Sequence, residues 1–147
     1  MKIVIITLTL LLSITNVQDV QAQSPEAIRK IEQSISKKGK YALLVMKAQH
    51  LKAGILTGQN FKRKSQKTDF QIIVCGEVLK EISKDEKLQQ LVKQAIKEEG
   101  LKILSCGLSI EQLSIDKSLL PSEMPITENG LIYLFGLQEK GYKTIAL

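Results

Sequence analysis

The sequence predicts an α/β protein, a parallel sheet of about five strands with helices on both faces, and two observations predict it. Short apolar runs recur along the chain: "YALLVM" (41–46), "DFQIIVCG" (69–76), "LKILSCG" (101–107), a brief one around Met124–Ile126, and "YKTIAL" (142–147). Their length and β-branched content suit strands buried on both faces. Stretches with helical spacing of apolar residues separate them, so the chain reads βαβαβαβαβ.

Before the first run come two segments of a different kind. Residues 1–22 begin with Lys2, continue through an apolar run from Ile3 to about Ile14, and end on Val20-Gln21-Ala22. This is the pattern of a secretory signal peptide cut after Ala22. The apolar run falls short of the roughly 20 residues a spanning helix needs. The expected mature chain, about 125 residues, suits one domain with a real core. Residues 23–40 are polar, with Ile28, Ile31 and Ile35 at helical spacing and Pro25 placed for a first turn. They predict a short amphipathic helix or arm ahead of a domain at 41–147.

Within the domain, residues 48–66 carry Leu51, Ile55 and Phe61 on one helical face, with Gly54 and Gly58 against the assignment. Residues 77–100 predict a helix closed by Gly100, with Leu88, Leu91, Val92 and Ile96 on its buried side. A short helix is expected over 109–115, and another over 128–141, ending at Gly141. Met46 and Met124 read as core filler.

The net charge is +6, with local clusters at "KKGK" (37–40) and "KRKSQK" (62–67). Aromatic residues are scarce and there is no Trp. That composition argues for a solvated basic surface and against a nucleic-acid partner. No Gly-rich phosphate loop, no Gly-x-Ser-x-Gly elbow and no metal-ligand spacing is present, so neither a cofactor nor a metal is expected.

Chemistry in open α/β sheets gathers at the carboxyl ends of the strands. Lys47, Gln49 and His50 follow the first strand, Cys75, Gly76 and Glu77 the second, and Ser105, Cys106, Gly107 and Ser109 the third. Cys106 sits where a strand meets a helix, and a thiol facing unpaired N–H groups is favoured as thiolate, the nucleophilic form. Gly107 permits close approach by a second molecule, and Ser109, with Ser105 beside the thiol, is placed to support a sulfur anion. The competing reading is an inert, buried strand-end Cys. Cys75 has an analogous place, although Glu77 opposes a thiolate there. The two thiols in an exported chain are either a staple, two packed side chains or a redox pair. His50 is a candidate base beside the thiol, or an ordinary surface residue.

The segment "GLKILSCGLSIEQLSIDKSLLP" (100–121) resembles the DsrE/DsrF-like sulfur-relay family. "KYALLVM", "FQIIVCGEVLKEI" and "ENGLIYLFGLQEKGYKTI" resemble that family's first strand, second strand and closing helix–strand pair, so the likeness spans residues 40–147. It implies a three-layer α/β/α domain of five strands ordered 4-3-2-1-5, assembled as homo-oligomers, often trimers or hexamers. It also implies that Cys106 carries sulfur as a persulfide and passes it to a partner protein without a cofactor. The leader departs from the cytoplasmic habit of such relays and points to a periplasmic or secreted protein. Three functions therefore stand as expectations: a persulfide carrier acting through Cys106, an oligomeric binding module in which Cys106 is structural, and a thiol-redox protein using Cys75 with Cys106.

Overall fold

The computed structural model describes residues 24–147; the expected leader lies outside them. Helix α1 (Pro25–Gln33) opens the described chain and belongs to a unit separate from the one formed by residues 35–147. The Ser24 side chain accepts from the Ala27 N–H, and Pro25 occupies the first turn, where its missing N–H costs nothing.

The larger unit is a five-stranded parallel sheet ordered β4-β3-β2-β1-β5, as the sequence led us to expect. The strands are β1 (Lys40–Val45), β2 (Asp69–Val74), β3 (Lys102–Cys106), β4 (Ile126–Thr127) and β5 (Lys143–Ala146). All four pairings are parallel and in simple register, with Val45 opposite Val74 and Val74 opposite Ser105. Parallel strands need crossover helices, and these cover both faces.

One face is covered by α2 (Ala48–Lys64), α3 (Val78–Ile82) and α4 (Glu86–Lys97). Gly54 and Gly58, which weaken α2 as an isolated helix, are buried against the sheet. A Cβ on Gly58 would lie 2.8 Å from Phe70 and 2.9 Å from Leu101, so its absence lets helix and sheet close up. Residues 77–100 form two helices rather than the one expected. Asp85 divides them: its carboxylate accepts from the N–H groups of Lys87 and Leu88, a capping geometry that starts α4 afresh.

The other face carries α6 (Gly130–Glu139), which begins where the Asn129 side chain accepts from Leu131 N–H at 2.9 Å. Gln71, buried on β2, ties this layer together. It accepts from the Tyr133 hydroxyl at 2.9 Å and donates to Tyr142, whose own hydroxyl donates to Asp69 at 2.5 Å. A core glutamine is thus satisfied through two tyrosines, and α6 is pinned to the centre of the sheet.

Two smaller expectations change. Met124 is in the core, but Met46 is 46% exposed, because β1 ends at Val45 and the chain turns outward there. The fourth strand is two residues long and lies at Ile126–Thr127, one step later than expected.

Candidate functional site

The register of β2 and β3 builds the site. Val74 pairs with Ser105, so the next residues, Cys75 and Cys106, lie side by side at the carboxyl ends of adjacent strands. Side chains alternate along a strand, which puts Ile73 and Cys75 on the α6 face, with Cys106 beside them. A single neighbour confirms this: a Cβ added to Gly130 would meet Cys75 Sγ at 2.6 Å, Ile73 at 2.9 Å and Cys106 Cβ at 3.1 Å. Both cysteines are free thiols.

Helix α5 (Gly107–Gln112) follows β3 without a linker, starting two residues before the expected helix. Its six residues are too short to supply much of a dipole. The resolved hydrogen bond to Cys106 Sγ comes instead from the start of α6, where Gly130 N–H donates at 3.2 Å. Ser109 supplies the second element. Its Oγ accepts from Gly76 N–H at 2.9 Å, which holds the end of β2 against α5 and leaves the hydroxyl proton available to sulfur. Gly76 has φ +69°, a left-handed turn that directs its N–H this way.

These contacts set the two thiols apart. Burial opposes ionisation of Cys106, but the Ser109 hydroxyl, the Gly130 and Ser109 amides and the Cys75 thiol outweigh it and hold the group below its ordinary value of 9.0. Cys75 goes the other way. Burial first, then the adjacent Cys106 charge and the hydrogen bond Cys75 donates to it, push it up to about 12. The sequence-based objection to a Cys75 thiolate was Glu77; the structure replaces it with burial and the second cysteine.

Several expectations for individual residues change. Cys106 is 2% exposed and Cys75 7%, so the thiol is covered, not open to solvent. Ser105 does not support it: by strand alternation its side chain points to the opposite face, where its hydroxyl is buried without a partner. Gly107 does permit a close approach, but by the chain itself. A Cβ there would lie 2.7 Å from Thr127 O and 3.0 Å from Glu128 O, the backbone leading into α6. His50 lies in the first turn of α2, its Nε2 3.4 Å from Gln49; among the described residues no hydrogen bond joins it to either thiol. Gly130 was missed by sequence reasoning. Its signal was a glycine directly after a helix-capping Asn, where no turn requires one.

A groove of about 360 Å³ borders the covered sulfur. Gly107, Leu108, Glu111, Thr127, Asn129 and Ile132 are among the residues that line it. Cys106 does not line it, but Gly107 and Asn129, which flank the residues that cover it, do.

No protein-family model matches the chain, and no curated protein does. Solved structures do match. The chain is similar to a protein of unknown function from Methanobacterium thermoautotrophicum, MTH1491, with 12% identity and a TM-score of 0.62 over 74% of this chain and all of that one. A conserved protein of unknown function from Bacteroides thetaiotaomicron, BT1422, matches at 17% identity and a TM-score of 0.61, over 78% of this chain and 99% of that one. This is a likeness of fold.

Proposed function

We propose that the protein is an exported sulfur carrier that holds a sulfane sulfur as a persulfide on Cys106. The observation that carries this reading is the hydrogen bond from Gly130 N–H to Cys106 Sγ, in a site where Ser109 and Cys75 also favour the Cys106 anion. A backbone donor backed by groups that favour the charged form is an arrangement for a sulfur anion, and the thiolate is the form that accepts sulfur. In the loading step Cys106 Sγ⁻ attacks the terminal sulfur of a donor R–S–SH. The donor's S–S bond breaks, R–S⁻ leaves, and Cys106 holds S–SH. The likeness of residues 100–121 to sulfur-relay proteins supports the same assignment. The groove beside Gly107 and Asn129 is the approach for the donor.

Incubation with inorganic polysulfide is expected to add about 32 Da, one sulfur atom, to the native protein and nothing to Cys106→Ser. The same intact-mass spectrum of exported protein reads the leader, since the mature chain is expected to begin at Gln23. Sulfur uptake that persists in Cys106→Ser would overturn the carrier. The burial of Cys106 favours the second reading, a binding module with a structural thiol, and a native protein inert both to polysulfide and to alkylation would establish it.

The carrier works as a homo-oligomer. Helix α6 buries Leu134 and Leu137 yet leaves Leu131, Ile132 and Phe135 at 51%, 70% and 62% exposure, so it is apolar on both sides. A helix apolar all round is one that is covered. Because Ile132 also lines the groove, a second copy on this face would border the thiol. Sedimentation is expected to give a trimer or hexamer; a monomer at micromolar concentration would remove this part of the proposal.

A further inference from the structure

The carrier reading uses one thiol and leaves the other, Cys75, without a role. Cys75 is held against Cys106 by the sheet itself. The Val74–Ser105 pair fixes the two cysteines one residue further along adjacent strands, and neighbouring parallel strands run about 4.8 Å apart. That is inside the window of about 4.4–6.8 Å between Cα atoms that a disulfide requires. Both side chains project to the same face and pack against Gly130, where a Cβ would meet Cys75 Sγ at 2.6 Å and Cys106 Cβ at 3.1 Å. Cys75 keeps its proton beside Cys106, because burial and the adjacent Cys106 charge both oppose its ionisation. It is therefore a protonated thiol beside the sulfur that would carry the cargo, and it becomes the nucleophile only as its proton passes to the departing outer sulfur.

We infer that Cys75 is the resolving thiol of the site: it discharges a persulfide on Cys106 as hydrogen sulfide. The inference rests on the carrier reading. In the step, Cys75 sulfur attacks Cys106 Sγ, and the bond from Sγ to the outer sulfur breaks. The outer sulfur leaves as HS⁻ and takes the Cys75 proton, giving H₂S and a Cys75–Cys106 disulfide. The sulfane sulfur is reduced by two electrons, and the two cysteine thiols are together oxidised by two. No external oxidant is needed, because the cargo is the oxidant. A dithiol donor, oxidised in its turn, returns the pair to thiols. The position of Cys75 thereby makes the protein a releaser of free sulfide, and a pure handover to a second protein does not require it.

The test loads wild type and Cys75→Ser with inorganic polysulfide under nitrogen, desalts them, and follows intact mass and released sulfide over time. Cys75→Ser is expected to keep the added sulfur. Wild type is expected to lose it about tenfold faster or more, releasing one sulfide per chain and ending two hydrogens lighter with an intrachain Cys75–Cys106 link in the peptide map. Cys75→Ala, checked by circular dichroism, repeats the measurement should the serine variant misfold. Equal retention by wild type and both variants would overturn the resolving role while leaving the carrier intact. Failure of all folded forms to load would overturn the carrier reading, and this inference with it.

Discussion

Gly130→Ala is expected to damage stability and thiol chemistry together. The new methyl would stand 2.6 Å from Cys75 Sγ and 2.9 Å from Ile73, closer than real contacts allow, and Ile73 lies in the buried strand β2 with Cys75 just past its end. Overpacking of this kind costs about 1–3 kcal/mol, read as a lower urea midpoint at unchanged slope. The start of α6 must also shift away from the sheet, carrying with it the N–H that donates to Cys106. The Cys106 pKa therefore rises toward 9.0, and sulfur uptake at neutral pH falls. A control separates the two effects: Gly136→Ala, on the same helix with open space at its Cβ, is expected to raise stability by about 0.4–1 kcal/mol and leave sulfur uptake unchanged. A Gly130→Ala protein of full stability and unchanged uptake would show that the start of α6 does not set the thiol.

The second large effect is in the titration of the thiols. Followed by ultraviolet thiolate absorbance, the native protein is expected to show one ionisation below pH 9.0 and none from the other thiol until the pH approaches about 12. The unfolded chain, with both thiols in water, shows two near 9.0. The steps belong to the pair, since charge on Cys106 itself opposes charge on Cys75. Stability follows with opposite signs. Cys106 has a depressed folded pKa, so its contribution is present above 9.0 and is lost as pH falls through the folded value. Cys75 has a raised one, so its contribution is full below 9.0 and is lost as pH rises from there to about 12. In Cys106→Ser the first of these trends disappears, and the stability gap to wild type widens as pH climbs toward 9.0. Two thiols ionising together near 9.0 in the native protein would contradict the asymmetry of the site.

What was legible in the sequence follows from what is periodic or locally coded. The strands declared themselves because a sheet covered on both faces needs runs such as "YALLV" and "FQIIV". The placement of Cys75 and Cys106 at strand ends followed from the same runs. The break in 77–100 was visible in principle, because Asp85 precedes an apolar-periodic stretch as a helix cap does, but the surrounding pattern masks it. Ser105 illustrates a different failure. Adjacent residues in a strand face opposite ways, so Ser105 and Cys106 do not share a site however close they stand in sequence. Gly130 left only a local trace, a glycine after a capping Asn, because its role depends on contact with residues 24 and more positions away, and spacing along the chain does not encode that. The burial of Cys106 arises similarly, from the fold of residues 127–130 back over the end of β3.

The clasp between Gly76 N–H and Ser109 Oγ, 33 residues apart, has an implication for biogenesis. Neither thiol acquires its character from nearby sequence alone; each depends on β2, α5 and the start of α6 having already met. A chain still emerging from synthesis carries two commonplace cysteines, and only the finished domain sets them apart. The lowered pKa at position 106 is therefore also a gauge of maturation, absent from any intermediate that lacks its last helix.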